Sequence, residues 1–174
     1  MTIRPVITAP DPRLKMVCKP VDKVDESVRN LMQDMLDSMY AANGIGLAAP
    51  QVGDSRRVIV VDVTRERGER RRYCLANPEI VWTSDEQFTY EEGCLSLPEH
   101  YADVTRPARA RIRYLDEENQ RREMEVEGLL SVCIQHEMDH LDGILFVDHV
   151  SSLKRNMIMR KLTKAKRLRE TEAA

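Results

Sequence analysis

The pentad His136-Glu137-Met138-Asp139-His140 constrains this chain more tightly than any other stretch. Two imidazoles four residues apart can serve one metal ion only on a helix. There, about 3.6 residues per turn stack positions 136 and 140 on one face. Glu137 then stands beside them, where it can take a proton from water. The competing reading is a pair of solvated histidines on the polar face of a charged helix. A third ligand decides between the two.

Downstream candidates are poor. In the extended pattern H-E-x-x-H-x-x-G-x-x-H, Gly143 is in place but Phe146 stands where the third His belongs, and His149 comes three residues late. Glu170 and Glu172 sit in a basic terminus. A thiolate is the better candidate. Cys133 shares the helix, but seven residues separate it from His140, about 10 Å along the axis, too far for one ion with a short side chain. It reads instead as a small apolar wall residue. Cys18 and Cys74 have no other ligand type nearby. Cys94 remains, in Glu91-Glu92-Gly93-Cys94-Leu95-Ser96-Leu97-Pro98. Gly93 frees the backbone there and Pro98 fixes a rigid exit. A Cys on such a turn can face a helix across a cleft. On this segment alone a buried structural thiol is the favoured reading.

Three stretches together resemble the signature motifs of the peptide deformylases, in that family's order. They are Gly44-Ile45-Gly46-Leu47-Ala48-Ala49-Pro50-Gln51, Glu92-Gly93-Cys94-Leu95-Ser96 and Gln135-His136-Glu137-Met138-Asp139-His140. The likeness runs from Pro10-Asp11-Pro12-Arg13-Leu14 to the basic C-terminal segment. One departure is Tyr101, just beyond Pro98, where bacterial members often carry an Arg that helps hold the peptide.

The resemblance implies a metal-dependent hydrolase that removes the formyl group from N-formylmethionine of nascent peptides and releases formate. It implies Cys94, His136 and His140 as ligands, with one tetrahedral position left open, as in catalytic sites. Glu137 becomes the proton acceptor, and the Gln51 amide with the Leu95 backbone N–H becomes the donor pair for the developing oxyanion. Leu129, Val132 and Cys133 would wall an apolar pocket for the methionine. The substrate backbone would lie as an added strand along Ile45-Gly46, beside Gly93. Iron(II) is the implied physiological metal, with zinc, nickel or cobalt as alternatives. Iron beside Cys94 would be oxygen-sensitive.

With 174 residues, 42% of them hydrophobic, the chain is long enough for one core of ordinary size. We expect one catalytic domain over residues 1–150, continued by a basic helix over 151–174. The four cysteines show no disulfide or zinc-ribbon spacing, the first residues carry no signal-peptide run, and no stretch reaches transmembrane length. These features predict a soluble cytoplasmic protein without membrane or DNA partners. From Ser151 onward eight Lys or Arg stand against two Glu, a net of +6. With an overall charge of −2, the first 150 residues therefore carry −8. The basic run is either a solvated helix face or a handle for an anionic partner; the resemblance points to the ribosome.

Val28, Leu31, Met32, Met35, Leu36 and Met39 recur at helical spacing within 25–43, with Asp25 or Ser27 as cap and a stop near Asn43-Gly44. Strands are predicted at 57–63, 75–82 and 87–90. Segments 108–115 and 122–127 alternate at period two and pair across a turn at 116–120. The expected class is α+β: short, largely antiparallel strands around a central helix carrying the pentad, plus a C-terminal basic helix. Two alternatives predict different chemistry. A zinc endopeptidase would cleave unformylated internal peptide bonds, and a non-catalytic metal-stabilised ribosome-binding module would be indifferent to loss of the Glu137 carboxylate.

Overall fold

The computed structural model describes residues 2–64 and 70–173. Met1, residues 65–69 and Ala174, which fall within the two expected segments, lie outside the described residues. Among those described, no helix is long and apolar enough to cross a membrane.

Helix α1 (Glu26–Ala41) starts where Asp25 accepts a hydrogen bond from the Val28 backbone N–H at 3.1 Å, which satisfies one of the donors that open every helix. Its predicted apolar stripe is buried from Val28 to Met39. The stripe packs on strand β2 (Val58–Val61), which is buried on both faces: Val58 and Val60 join the α1 cluster, whereas Ile59 and Val61 join the cluster of helix α2 (Gly128–Leu141). A strand between two layers has no polar face, which explains the unbroken Val/Ile run.

The larger sheet has the order β1-β2-β3-β6-β7, with β1 at Gly46–Ala48, β3 at Tyr73–Thr83, β6 at Arg109–Leu115 and β7 at Arg121–Glu127. All its ladders are antiparallel. The β6–β7 hairpin closes through the Asp116 carboxylate, which accepts from the backbone N–H groups of Glu118 and Gln120 at 2.9 Å each. Its alternation is as expected: Ala110, Ile112 and Val126 point into the core, and Arg111, Glu123 and Glu125 meet on the outer face.

The second sheet has two strands, β4 (Gln87–Cys94) and β5 (Leu97–Pro107). Here the structure adds to the sequence reading. Strand β4 runs past Tyr90 to Cys94, and β5 is a strand that the sequence pattern does not predict. Leu97, Ala102 and Val104 of β5 share a third cluster with Phe146, Val147 and the Ile158 and Leu162 side chains of helix α3 (Ser152–Ala173). The C-terminal helix is thus fastened to the body by two buried residues, and its many cations face outward.

The double-sided burial of β2 makes a stability prediction. Ile59→Ala should cost about 2–5 kcal/mol in chemical denaturation, because Ile59 is fully enclosed between two layers. Ile80→Ala, on a residue 40% exposed, should stay within about 0.5 kcal/mol.

Candidate metal centre

Helix α2 is buried almost all round its second half, from Ser131 through Met138 and again at His140 and Leu141. A solvated polar face for the two histidines is therefore excluded: His136 is 7% exposed, Glu137 4% and His140 0%. The two imidazoles sit one turn apart, ring centroids 5.1 Å from each other. At the end of β4, Cys94 enters from the other sheet. One ligand atom from each of Cys94, His136 and His140 lies within 4.8 Å of the others, forming a metal-binding triad. The Cys94 Sγ is 3.4 Å from His140 Nε2.

The rejected candidates are accounted for. Phe146 stacks against the His136 ring at 6.1 Å between centroids, so the residue standing where a third His would be is a wall of the site. His149 hydrogen-bonds to Asp139 at 2.8 Å instead of joining the triad, and Glu170 and Glu172 are exposed on α3. Cys133 points its thiol toward the Ile45 carbonyl at 3.6 Å. Cys18 and Cys74 are core residues.

Three residues that received no role from the sequence set the orientation of His136. Its Nδ1 is 2.9 Å from a Glu92 carboxylate oxygen. That carboxylate accepts two hydrogen bonds from Arg106, at 2.7 and 2.9 Å, and the third Arg106 donor reaches Asp139 at 2.8 Å. Glu92 is 3% exposed and Arg106 5%. Burial opposes the Glu92 charge, but hydrogen bonds from His136 and Arg106 hold its carboxyl below the ordinary range. With Nδ1 engaged by Glu92, the nitrogen turned toward the triad is Nε2, which lies 3.8 Å from Glu137. A carboxylate behind a ligating imidazole is the usual way its orientation and basicity are fixed. Glu92 stood inside a quoted motif, but nothing in a single sequence links it to Arg106.

The environment drives the titratable groups apart. Burial opposes a charged His136, yet hydrogen bonds to Cys94 and Glu92 and the nearby Glu137 charge hold its pKa well above the ordinary value. Burial pushes His140 well below it. Burial also raises the Glu137 carboxyl to about 7. His140 is thus neutral and ready to donate its lone pair, whereas a cation must displace a proton at His136. Among the described residues, Glu137 Oε2 and His140 Nδ1 are buried without a hydrogen-bond partner. An orphaned carboxylate oxygen beside one thiol and two imidazoles fits a site that receives an ion and a polar reactant. The donor set suits a borderline-soft divalent metal.

A cleft of about 410 Å³ opens over the triad. Ile45, Gly46, Gly93, Leu95, Leu129, Val132 and Cys133 all line it, together with Cys94, His136 and Glu137. Gly46 is required by close packing: a Cβ there would stand 2.8 Å from Cys133 Sγ and 2.9 Å from Glu137 Oε1. Gln51 is 1% exposed and held firmly. Its Oε1 accepts from the Ala48 N–H at 2.9 Å, and its Nε2 is 3.0 Å from Ser96 Oγ and 3.6 Å from Cys94 Sγ. Leu95 occupies the turn between β4 and β5, directly after the Cys94 ligand.

Comparison with known proteins agrees with this geometry. The family described as polypeptide deformylase matches residues 3–156. A peptide deformylase of Methylocella silvestris is 54% identical over 97% of this chain and 87% of its own length. The crystal structure of a peptide deformylase from Legionella pneumophila superposes with a TM-score of 0.88 at 46% identity, covering 97% of this chain and 98% of that one. That of the Ehrlichia chaffeensis enzyme, in complex with actinonin, gives 0.91 at 38% identity over 96% and 99%. On sequence, fold and site, the chain belongs to the polypeptide deformylase family.

Proposed function

We propose that this chain hydrolyses the formamide bond of N-formylmethionine at the start of newly made polypeptides, releasing formate and a free amino terminus. The observation that carries the reading is the convergence of a thiol, two imidazoles and a buried, unpartnered carboxylate oxygen on one cleft. Cys94, His136 and His140 hold one divalent ion, for which we assign iron(II), with zinc, nickel or cobalt able to take its place. When bound, the ion supplies Lewis acidity, polarising a carbonyl and bringing the pKa of water toward neutrality.

The protein's own groups do the rest. Glu137 accepts the proton of the attacking water and returns it to the leaving amine; its elevated pKa keeps it poised between the two roles at neutral pH. Gln51 carries two amide hydrogens. One is donated to Ser96; the other, from the Nε2 that lies 3.6 Å from Cys94 Sγ, is the one we assign to the formyl oxygen as charge develops there. With the Leu95 backbone N–H as a second donor, each contributes about 3–4 kcal/mol of transition-state stabilisation. Leu129, Val132 and Cys133 form an apolar wall suited to a methionine side chain, with the peptide backbone laid between Ile45-Gly46 and Gly93. We assign the enzyme to the cytoplasm, where formylated nascent chains are made. The exposed cations of α3 offer a docking surface for ribosomal RNA.

Formate release from a formyl-Met peptide should fall about 10²–10⁴-fold in Glu137→Ala. In the native chain kcat/KM should decline as pH drops and the base becomes protonated. The midpoint should be no higher than about 7, because a cation nearby lowers that carboxyl further. Glu92→Gln should weaken metal retention about 10–100-fold in chelator competition, since the partner that orients His136 loses its charge; unchanged retention would contradict that role. Replacing Lys161, Lys164 and Arg167 together by Glu should reduce cosedimentation with ribosomes and flatten its salt dependence. Undiminished sedimentation would remove the docking role.

A further inference from the structure

The network behind His136 reaches the surface through a second histidine. Asp139 Oδ2 accepts from Arg106 Nη1 at 2.8 Å and lies 2.8 Å from His149 Nε2 as well. A carboxylate oxygen has no proton to offer, so His149 carries one on Nε2 and donates it. One oxygen thus receives two donors. Four side chains run outward from the His136 ring: Glu92, Arg106, Asp139 and His149. Exposure rises along the series. Glu92 and Arg106 are buried, Asp139 is 22% exposed and His149, the outermost member, 37%.

An exposed histidine–carboxylate pair is usually a loose surface contact. This one is held by a fixed backbone. His149 closes a 3₁₀ turn (Phe146–His149) that is anchored on both sides. Leu145, Phe146 and Val147 are buried with Leu97 and Val104 of β5 and with Ile158 and Leu162 of α3. Asp148 accepts from the Leu145 N–H at 2.9 Å and pairs with Lys15 and Arg155 at 3.3 and 2.9 Å. The same turn sets the Phe146 ring against His136, and Cys94 packs on its cluster. It therefore bears on both sides of the metal site. Asp139 stands three residues after His136 and directly before His140. A grip on Asp139 consequently acts on the helical turn that carries both imidazoles.

We infer that His149 is a positioning residue for the metal centre: by donating to Asp139 it keeps Arg106 seated on Glu92, and so holds His136 in the orientation that binds the ion. Without that donor Asp139 turns to water for its hydrogen bonds, and the Arg106 guanidinium can follow it away from Glu92. The inference goes beyond the proposed hydrolysis, in which His149 takes no part, and rests on the Cys94–His136–His140 site.

The test is chelator competition for zinc, run without substrate on the native chain, His149→Leu, His149→Gln, Asp139→Ala and the double variant His149→Leu/Asp139→Ala. Leucine cannot donate, whereas the glutamine amide offers an N–H at the reach of Nε2. His149→Leu should hold zinc about 2–5-fold less tightly than the native chain, and His149→Gln should recover most of that loss. On the Asp139→Ala background His149→Leu should cost nothing further, because the partner is already gone. With cobalt(II) in place of zinc, the ligand-field bands of His149→Leu should move from the position shared by the native chain and His149→Gln. Partial unfolding would weaken those bands without moving them. Unchanged zinc retention in His149→Leu, cobalt bands that stay in place, a loss that His149→Gln does not recover, or an equal further loss on the Asp139→Ala background each overturn the inference and leave the triad and the deformylase reading standing. A native chain that retains no zinc overturns the triad and this inference together.

Discussion

The Glu92 carboxylate accepts from Arg106 on the neighbouring strand and from His136 on the helix opposite, while Arg106 reaches across to Asp139 on that same helix. Two pieces of chain that share no ladder are thereby tied together at the point where a thiol from one must meet imidazoles from the other. Such buried pairs contribute little net stability, because desolvation offsets their attraction, but breaking one side costs about 3–5 kcal/mol. Their value here is positional. Four short hydrogen bonds fix the distance between the Cys94 strand and the His136 helix more sharply than apolar packing, which tolerates small slides.

Burial then decides what each group in the site does. Enclosed on nearly every side, α2 leaves Glu137 with one oxygen facing no partner and a pKa near neutrality, and leaves His140 uncharged. The same residues on a solvated helix would be an ordinary acid and two ordinary bases. Gly46 completes the enclosure, since any side chain there would collide with Glu137 and Cys133. Acid–base behaviour in this site is therefore a property of the packing around the pentad as much as of the pentad itself.

Periodicity made some elements legible. The α1 stripe, the β6–β7 alternation and the all-apolar β2 each leave a pattern set by one face or two faces of burial. Strand β5 left none, for a physical reason. Beyond Leu97 its inward positions are Ala102, Val104 and Arg106, two small residues and a cation, and the cation is buried only because Glu92 and Asp139 await it elsewhere in the fold. The excursion at 98–100 hid its start as well. Strand β1 is three residues long, too short to show alternation. The triad was readable because helix geometry ruled out Cys133 and family likeness singled out Cys94. The network behind it was not, since a buried Arg looks in sequence like any other charged residue.

The proposed hydrolysis depends on a sulfur and two imidazoles meeting around one ion. X-ray absorption at the metal edge of the zinc-loaded protein tests this directly. We predict one sulfur at about 2.3 Å and two imidazole nitrogens at about 2.0–2.1 Å, with the sulfur contribution lost in Cys94→Ser. A first shell without sulfur in the native chain, or one filled entirely by protein donors, would contradict the site and the hydrolysis built on it.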